Sequence, residues 1–579
     1  MKIKELLPIT DWLSNYNKDN LKGDLSAGLT VGVMLIPQGM AYALIAGLPP
    51  IFGLYASTIP IILYAIFGTS RQLAVGPVAM VSLLTATGIG AMVPEAGSEI
   101  YIGLAVALAL FVGAIQLLLG VFKLGFLVNF LSHPVISGFT SAAALIIGLS
   151  QLKHLLGVDI PRSHHIHEII LNAIEKFDPN QWPTILLALG GIAVIVGIKR
   201  INKAIPGTLI AVVLGILIVW AFGLNNMGVK IVGEVPSGLP KFSVPTFDMA
   251  SFSELLVIAL TISLVSFMES IAVAKAIQNK HKNYKVVPNQ ELIALGVANI
   301  GGAFFQSYPV TGGFSRTAVN DQSGAKTGMA GIVSALLIIV TLLFLTPLFY
   351  YLPKAILASV IMVAVFGLID VKEAKHLWKS NRTDFWMLIV TFIGTLSLGI
   401  EQGIALGVVL SLVMVIFRTT RPHVAELGKV PNTHFYRNIE RFDNLEHRDE
   451  LIIMRFDAQL YFANVNYFKD SLYKMTMAKS DTLQLIIIDC EAMNNMDSSA
   501  VHAIDDLMDD YNSRGIEVVF SGVKGPVRDA LQKGHLTGKI GEDHFFMSIQ
   551  EAVDCFDEKC ISGLDKRPKF SQYTLQSDA

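Results

Sequence analysis

The sequence predicts a polytopic α-helical membrane protein that carries a soluble α/β domain at its C-terminal end. Of its 579 residues, 53% are apolar and 16% are charged, and the mean hydropathy of +0.55 exceeds that of ordinary globular proteins. Apolar stretches long enough to cross about 30 Å of hydrocarbon occupy residues 24 to 418, whereas the chain from His423 onward mixes charge with short apolar runs. We therefore divide the chain into a cytoplasmic N-terminal segment (1–23), a transmembrane domain (24–422), a cytoplasmic α/β domain (423–562) and a flexible C-terminal tail (563–579).

Twelve segments are apolar and long enough to be complete membrane spans. They cover residues 25–46, 51–68, 101–121, 125–150, 184–198, 205–223, 254–276, 289–305, 329–346, 353–369, 384–399 and 400–417. Two shorter apolar pieces, near 77–90 and 314–323, each follow an extended stretch that contains glycine and proline. Counting these two as half-helices gives fourteen transmembrane elements, which divide into a seven-plus-seven inverted repeat.

The positions of lysine and arginine test this count, because both residues are enriched in the cytoplasmic loops of membrane proteins. With fourteen elements the basic clusters fall on one side, at Lys2 to Lys22, Lys199 to Lys203, Lys275 to Lys285, Lys372 to Arg382, and Arg418 with Arg421. The loops 91–100 and 306–313, on the other side, contain neither residue. We expect both termini on the cytoplasmic side of an inner membrane.

Two interrupted segments share one plan, in which an extended lead is followed by a Gly/Pro break and a short helix. They read QLAVGPVAMVSLL from Gln72 and SYPVTGGFSRTAVN from Ser307. Non-helical backbone at membrane depth is tolerated where it is buried in protein or lines a wet cavity. By the predicted topology the two short helices begin near the bilayer midplane and face each other, so their free N–H groups and dipoles form an anion site. The structural alternative is a pair of kinks or a re-entrant plug.

Three side chains belong to this predicted site. Arg316, in the second short helix, either attracts the anion or lies near the membrane surface with its guanidinium in water. Ser315 either donates to a ligand or caps the helix. Glu269 is the acidic residue inside its span, and a buried carboxylate beside a cation can take up and release a proton. We expect Glu269 to carry a coupling proton and to face Arg316, and a structural ion pair is the alternative.

The first span contains LIPQGMAYALIAGLPP, in which Pro37 and Gly39 loosen the helix beside Gln38. Gln38 and Tyr42 are four residues apart and therefore share one helix face. We expect them to contribute an amide and an aromatic wall to the pocket. The alternative is that Gln38 hydrogen-bonds a neighbouring helix.

Other classes of function lack support in the sequence. We find no nucleophile paired with a base, no ATP-binding P-loop and no metal-ligand cluster, so we expect neither an enzyme, a metal site nor a cofactor. The net charge of −2 argues against nucleic acid as a partner. The prediction is secondary active transport of a small anion. Two alternatives stay open, namely an uncoupled exchanger or uniporter, and a membrane receptor that senses an anion and signals through the C-terminal domain.

The chain after Pro422 has the pattern of a small α/β domain. Apolar strands at 450–456, 483–490 and 518–522 alternate with helices at 498–513 and 525–533. Alternation of this kind is typical of βα units in a soluble domain.

The residues above resemble the SulP sulfate-permease family, the bacterial and plant relatives of the animal multifunctional anion exchangers. The resemblance rests on IPQGMAYALIAGLPPIFGLY, FGTSRQLAVGPVAMVSLL, HPVISGF, NQELIALGVANIGGAFFQSYPVTGGFSRTAVN and the tail. It implies a gate domain and a mobile core domain that work as an elevator, usually in a homodimer, here in a bacterial inner membrane. The tail is similar to a STAS domain, which adds a cytoplasmic protein partner to the expected ones.

The resemblance also implies where substrate binds. It places the anion between the half-helices, next to Val78, Ala79, Phe314, Ser315 and Arg316, with Gln38 and Tyr42 alongside. Family members often have serine where this chain has Gly313, and one hydroxyl fewer affects which anion fits. The sequence leaves sulfate, bicarbonate and a dicarboxylate as open possibilities.

Two further residues take their meaning from the resemblance. Glutamate at 269 is similar to the proton-coupled sulfate and dicarboxylate carriers, whereas bicarbonate-transporting relatives have aspartate there in a sodium site. Proton symport is therefore favoured over sodium-coupled bicarbonate symport. In the tail, MDSSAV places Ser499 at the phosphoacceptor position of STAS domains, although Asp497 and Ser498 are also ordinary helix N-caps.

Overall fold

The computed structural model describes residues 7–93, 95–126, 132–160, 166–201, 206–245, 252–479 and 482–558. The chain forms two compact units, Met1–Leu412 and Val413–Ala579. The first unit consists almost entirely of helices and the second contains a mixed sheet with helices, in agreement with the predicted fold class.

Helices of the first half follow the predicted apolar segments, except that Ile9–Leu13, Leu152–Leu156 and Ile166–Glu175 were not predicted and that two segments need correction. They are α1 (Ile9–Leu13), α2 (Lys18–Ile45), α3 (Pro50–Tyr55), α4 (Ile59–Phe67), α5 (Ala79–Met92), α6 (Glu99–Val121), α7 (His133–Ser150), α8 (Leu152–Leu156), α9 (Ile166–Glu175), α10 (Trp182–Ile201) and α11 (Gly207–Phe222). The predicted span 51–68 is broken after Tyr55, and a new helix starts where Pro60 fits its first turn. The predicted span 125–150 begins only at His133, with Pro134 in the first turn.

The second half contains the remaining helices of this unit. They are α12 (Phe252–His281), α13 (Pro288–Ala303), α14 (Phe314–Gln322), α15 (Met329–Val340), α16 (Lys354–Phe366), α17 (Val371–Ser380), α18 (Arg382–Leu398) and α19 (Ile400–Thr420). The predicted span 329–346 is not one regular helix, because the backbone widens into a π-helical turn at Thr341–Leu345. The amphipathic helix α17 was not predicted.

Two strands of two residues each, β1 (Val75–Gly76) and β2 (Thr311–Gly312), precede α5 and α14. Among the described residues, eight helical segments are long and apolar enough to cross a membrane. The helix α14 has nine residues and is far too short to span the roughly 30 Å of a hydrocarbon core. The number of fourteen elements and their division into seven and seven stay predictions.

Helices of the two halves approach each other closely at glycine. A Cβ atom at Gly113 of α6 would lie 2.6 Å from the backbone nitrogen of Ile300 in α13, and one at Gly296 of α13 would lie 2.6 Å from that of Leu117 in α6. The helices α2 and α15 make a similar contact at Gly28. Small residues thus allow the backbone contacts that hold helices together where water is absent.

The carboxylate of Glu291 in α13 is fully buried and fixes the chain just before the first interrupted segment. It accepts hydrogen bonds from the Tyr64 hydroxyl (2.6 Å), the Thr69 amide (2.7 Å), the Thr69 hydroxyl (2.5 Å) and the Ser70 amide (3.0 Å). A buried carboxylate with four donors is well satisfied. This cluster therefore joins a helix of the second half to the lead of α5.

A second buried carboxylate fixes the chain that follows α14. Asp24, near the start of α2, accepts hydrogen bonds from the amides of Lys326 (2.6 Å) and Thr327 (2.9 Å) and from the Thr327 hydroxyl (2.6 Å). Each half of the unit thus supplies one carboxylate that holds the segment next to the other half's short helix.

The second unit is built on a six-stranded sheet. Its elements are β3 (Val424–Lys429), β4 (Tyr436–Asn438), β5 (Leu451–Phe456), α20 (Val465–Met477), β6 (Leu485–Asp489), α21 (Ser498–Ser513), β7 (Glu517–Ser521), α22 (Gly525–Lys533), α23 (Leu536–Ile540), β8 (Phe545–Phe546) and α24 (Ile549–Asp557). The strand order is β4-β3-β5-β6-β7-β8, in which β5 to β8 are parallel and β3 is antiparallel to both neighbours. The strands and helices predicted for this region lie at these positions, and β3, β4, α20, α23, β8 and α24 are additions.

Alternate residues of β5 face opposite sides of this sheet, as the twofold period of a strand requires. Ile452 and Met454 belong to the core that also contains residues of α20 and α21, whereas Leu451 and Ile453 belong to the core under α24. The sheet is therefore covered by helices on both faces, which explains why β6 is buried at every position.

We expect Glu291→Leu to lower the thermal unfolding midpoint of the full chain in detergent, because four donors, two of them buried and two partly buried, lose their acceptor. Each buried donor left without an acceptor lowers the free energy of unfolding by about 1–3 kcal/mol. Glu291→Gln keeps an acceptor oxygen and should lower the midpoint less. The control is Glu99→Leu, since Glu99 is an exposed residue at the start of α6. Equal midpoints for the two leucine variants would contradict this role.

Candidate functional site

The leads of the two short helices pair with each other inside the helical unit. Strands β1 and β2 are antiparallel, with Val75 opposite Gly312 and Gly76 opposite Thr311. The Gly313 amide also donates to the Ala74 carbonyl over 3.0 Å. The two leads therefore run in opposite directions, and the helices that follow them begin next to each other.

Neither short helix has a side-chain cap at its N-terminus. The N-cap residue of α5 is Val78 and that of α14 is Gly313, both with extended backbone angles. Neither residue carries the side-chain oxygen that usually accepts from the first turn. Two sets of helix N–H groups, each with the positive end of a helix dipole, are thus available to an anion.

Arg316 is the largest fully buried side chain in the described part of the chain, at 2% exposed. Its Nη1 group donates to the Pro77 carbonyl over 2.5 Å, so a guanidinium from α14 reaches the backbone that leads into α5. Its Nε and Nη2 groups have no hydrogen-bond partner among the described residues. Buried donors are normally paired, so these two point to an acceptor that binds from outside the chain.

The guanidinium lies against backbone that has no side chain. A Cβ atom at Gly313 would lie 3.0 Å from Nη2 and 3.1 Å from Cζ of Arg316, and 3.3 Å from a methyl of Val78. A side chain at position 313 would therefore press on Arg316. Glycine at this position leaves room for the guanidinium.

Gln38 and Tyr42 lie on α2, which packs against both short helices. Both side chains are buried, at 4% and 5% exposed, and the Gln38 carbonyl oxygen Oε1 has no partner among the described residues. The alternative role of Gln38, in which it hydrogen-bonds a neighbouring helix, finds no support at this oxygen. Tyr42 lies within electrostatic range of Arg316 and Glu269.

Glu269 lies on α12 and is only partly buried. Its carboxylate has no hydrogen bond, and no ion pair within 4.0 Å, to any described residue. Glu269 makes no direct contact with Arg316, although their charges interact at longer range, so the prediction that the two face each other stays a prediction. The residue after it, Ser270, is bound to β2, where its hydroxyl contacts the Thr311 hydroxyl (2.6 Å) and accepts from the Gly312 amide (2.8 Å). Glu269 is therefore held beside the lead of α14.

The predicted residues at the two helix starts differ in their exposure. Val78 and Ala79, at the start of α5, are buried at 4% and 6% exposed. Phe314 is 60% exposed and Ser315 is also exposed. In this structure the start of α14 is therefore open to its surroundings, whereas the start of α5 is enclosed.

Two polar residues that the sequence did not reveal also belong to this region. Tyr308 is fully buried, its hydroxyl lies 3.1 Å from that of Ser82 in α5, and it interacts electrostatically with Arg316 and Tyr42. The signal available in the sequence was a tyrosine inside the second interrupted segment. Asn299 of α13 satisfies the backbone of Val310, accepting from its amide (2.8 Å) and donating to its carbonyl (3.1 Å).

Ser499 lies in the second unit, in the first turn of α21, and is exposed. The N-cap of this helix is Asp497, whose carboxylate accepts from the Ala500 amide over 2.9 Å and from the Phe462 amide over 2.9 Å. Asp497 therefore has a structural role, and phosphorylation of Ser499 stays a prediction. The described residues contain no group of three or more His, Cys, Asp or Glu side chains suited to a metal ion.

Comparison with known proteins assigns both parts of the chain to known families. Residues 21–391 match the sulfate permease family, and residues 444–552 match the STAS domain. Over 98% of its length the chain is 40% identical to the chloroplastic sulfate transporter 4.1 of Arabidopsis thaliana, and it covers 85% of that protein.

Solved structures extend the likeness to the fold. The murine solute carrier 26 family member A9 anion transporter, solved in an inward-facing state, aligns with a TM-score of 0.88 at 27% identity, over 96% of this chain and 94% of that one. The transmembrane domain of the cyanobacterial bicarbonate transporter BicA aligns with a TM-score of 0.58 at 23% identity, over 69% of this chain and 98% of that one, and shows the fold alone. The predicted fold class is thereby confirmed. The chain belongs to the sulfate permease family, and it is a multi-pass membrane transporter with a STAS domain and not an enzyme.

Proposed function

We propose that this protein carries out secondary active transport of a small oxyanion, and that the anion binds between the N-termini of α5 and α14. The observation that carries the proposal is the buried Arg316, which keeps two unpaired donors beside two uncapped helix starts. Gln38, Tyr42, Val78, Ala79, Phe314 and Ser315 complete the proposed pocket. Sulfate is the first candidate, because the Arabidopsis relative is named a sulfate transporter.

The donor set suits an anion with several oxygen atoms. A guanidinium offers N–H groups in a fixed fork that matches two oxygens of one anion, and the helix N–H groups can donate to the remaining oxygens. Sulfate, bicarbonate and a dicarboxylate all meet this requirement. Phe314 and Ser315 are the exposed side chains at the start of α14. We propose that they select among these anions.

We propose Glu269 as the site of the coupling proton. Its carboxylate has no ion-pair partner within 4.0 Å among the described residues, and it lies within electrostatic range of Arg316. Binding of an anion to Arg316 therefore changes the field at Glu269, which links the two events. The Ser270 and Thr311 hydroxyls next to Glu269 hydrogen-bond each other. We propose a proton as the coupling ion, and sodium is the alternative.

The proposed cycle is an elevator in a homodimer. The leads of α5 and α14 are joined by β1 and β2 and by the Arg316 contact with Pro77, so the site would move as one body within a core domain. We place both termini and the STAS domain in the cytoplasm, from the positions of lysine and arginine. A cytoplasmic protein that binds the STAS domain, and a bacterial inner membrane as the location, stay predictions.

The test of coupling is uptake by proteoliposomes of labelled sulfate, bicarbonate and succinate under imposed proton or sodium gradients. We expect an inward proton gradient to drive accumulation of one of these anions. Glu269→Gln should abolish the accumulation while leaving exchange of that anion across the membrane. Glu254→Gln, at the exposed start of the same helix, is the matched control and should behave like the unmodified protein. Accumulation driven by sodium alone would refute the coupling assignment.

The test of the anion site is Arg316→Ala, assayed by binding of the transported anion to the purified protein. Hydrogen bonds to a charged group contribute about 1.5–3 kcal/mol each, so the loss of two should weaken binding by at least about a hundredfold. Arg200→Ala, at the exposed end of α10, serves as control. Unchanged affinity in a folded Arg316→Ala protein would remove this pocket from consideration. Saturable binding without any flux in the unmodified protein would instead support an anion receptor.

A third prediction concerns Gly313. We expect Gly313→Ala to raise the KM for the anion severalfold, because the new methyl group must displace the guanidinium of Arg316 by a few tenths of an ångström. Gly90→Ala, near the end of α5, adds the same methyl group where no atom lies within 4 Å. The measurement is initial uptake rate against anion concentration for both variants. An equal KM in the Gly313→Ala and Gly90→Ala variants would show that anion binding does not depend on the contact between position 313 and Arg316.

A further inference from the structure

The short helix α17 carries three lysines on one side. Lys372, Lys375 and Lys379 are spaced three and four residues apart, which places them along a single face. The helix lies between the apolar helices α16 and α18 in the chain, so both of its ends are connected to the membrane part of the protein. The transport site described above uses none of these residues.

A cavity of about 540 Å³ lies against this lysine face. Its lining includes the three lysines together with His376, Trp378 and Phe385, and no acidic side chain. The rings of Trp378 and Phe385 meet edge to face with centroids 4.9 Å apart. The cavity therefore combines a basic side with an aromatic side.

The three lysines at this cavity form no close ion pair with the described residues. Across the described residues, no carboxylate lies within 4.0 Å of the ammonium groups of Lys372, Lys375 or Lys379. The acidic residue of the same helix, Glu373, lies on the other side, 3.4 Å from the ring of His133. Three cations without a counterion attract an anion from outside the chain.

The remaining surface of α17 indicates what that anion is attached to. Leu377 is buried and anchors the helix, whereas Val371 and Trp378 are 55% and 49% exposed next to the lysines. An exposed apolar edge beside a basic face is the pattern of a helix that lies in the membrane interface. Tryptophan is itself enriched at that level.

A further cation lies at the same place. The Arg382 guanidinium, at the start of α18, lies 5.3 Å from the centre of the Trp378 ring. Arg382 does not line the cavity, but it adds a positive charge beside one of its aromatic residues.

We propose that this cavity binds the headgroup phosphate of an anionic phospholipid from the adjacent leaflet. The lysines contact the phosphate, while Trp378, Phe385 and Val371 contact the glycerol and the first methylenes of the acyl chains. A free inorganic anion would use the lysines alone and would leave the exposed apolar edge without a function. A lipid uses both sides of the cavity.

In the experiment, the full chain is placed in nanodiscs of phosphatidylcholine that contain phosphatidylglycerol. The protein is then released from the nanodiscs in the mass spectrometer, and native mass spectrometry counts the lipids that stay bound to it. We expect the triple variant Lys372→Gln, Lys375→Gln, Lys379→Gln to retain one phosphatidylglycerol fewer per chain. A lysine near an anionic surface contributes about a fivefold factor, so apparent affinity for phosphatidylglycerol should fall about a hundredfold. Retention of phosphatidylcholine should not change.

The matched control is Lys22→Gln, Lys199→Gln, Arg200→Gln, which removes three exposed basic side chains that do not line the cavity. We expect this control and Arg316→Ala to retain phosphatidylglycerol as the unmodified chain does. Equal retention by the triple lysine variant and the unmodified chain would overturn the proposal. So would an equal loss in the control, since it would show a general surface potential and no site. Failure of anion binding in Arg316→Ala with lipid retained would concern the transport site alone.

Discussion

The structure depends on providing hydrogen-bond partners for two stretches of extended backbone inside a bundle of apolar helices. Polar groups of the backbone are costly to leave unpaired away from water, and the two leads solve this by pairing through β1 and β2. Side chains supply the remaining partners. Asn299 satisfies both polar groups of Val310, the Ser270 hydroxyl accepts from Gly312, and the Thr317 hydroxyl accepts from the Ala74 amide over 3.0 Å. Without these contacts the short helices would have no fixed starting point.

The same contacts make the site a joint product of two distant parts of the sequence. Arg316 reaches from the second interrupted segment to the carbonyl of Pro77 in the first, and Ser270 holds the lead of α14 next to Glu269. The carboxylates of Glu291 and Asp24 then hold the flanking chain on either side. The groups proposed to bind the anion and the carboxylate proposed to carry the proton therefore share one scaffold, so that a shift of either lead changes both.

Local patterns in the sequence were sufficient to predict the main elements of the fold. Apolar length located the helices, Gly/Pro breaks located the two leads, and βα alternation located the core of the STAS domain. Prediction failed where tertiary contacts decide, as at the break after Tyr55 and the π-helical turn at Thr341–Leu345. Tyr308 could not be assigned, because its partner Ser82 lies far along the chain. Asn299 could not be assigned, because polar residues in apolar segments look alike before folding. The exposure of Phe314 likewise depends on the packing around α14.

The absence of capping side chains at Val78 and Gly313 has a consequence for the history of this fold. In the proposed site, main-chain N–H groups bind the anion whatever the neighbouring side chains are. Substitutions at most positions therefore leave the attraction for negative charge in place. Selectivity can then drift through a few neighbouring side chains while the framework is inherited unchanged. A protein with such a framework can change the anion that it transports without a change in its helices.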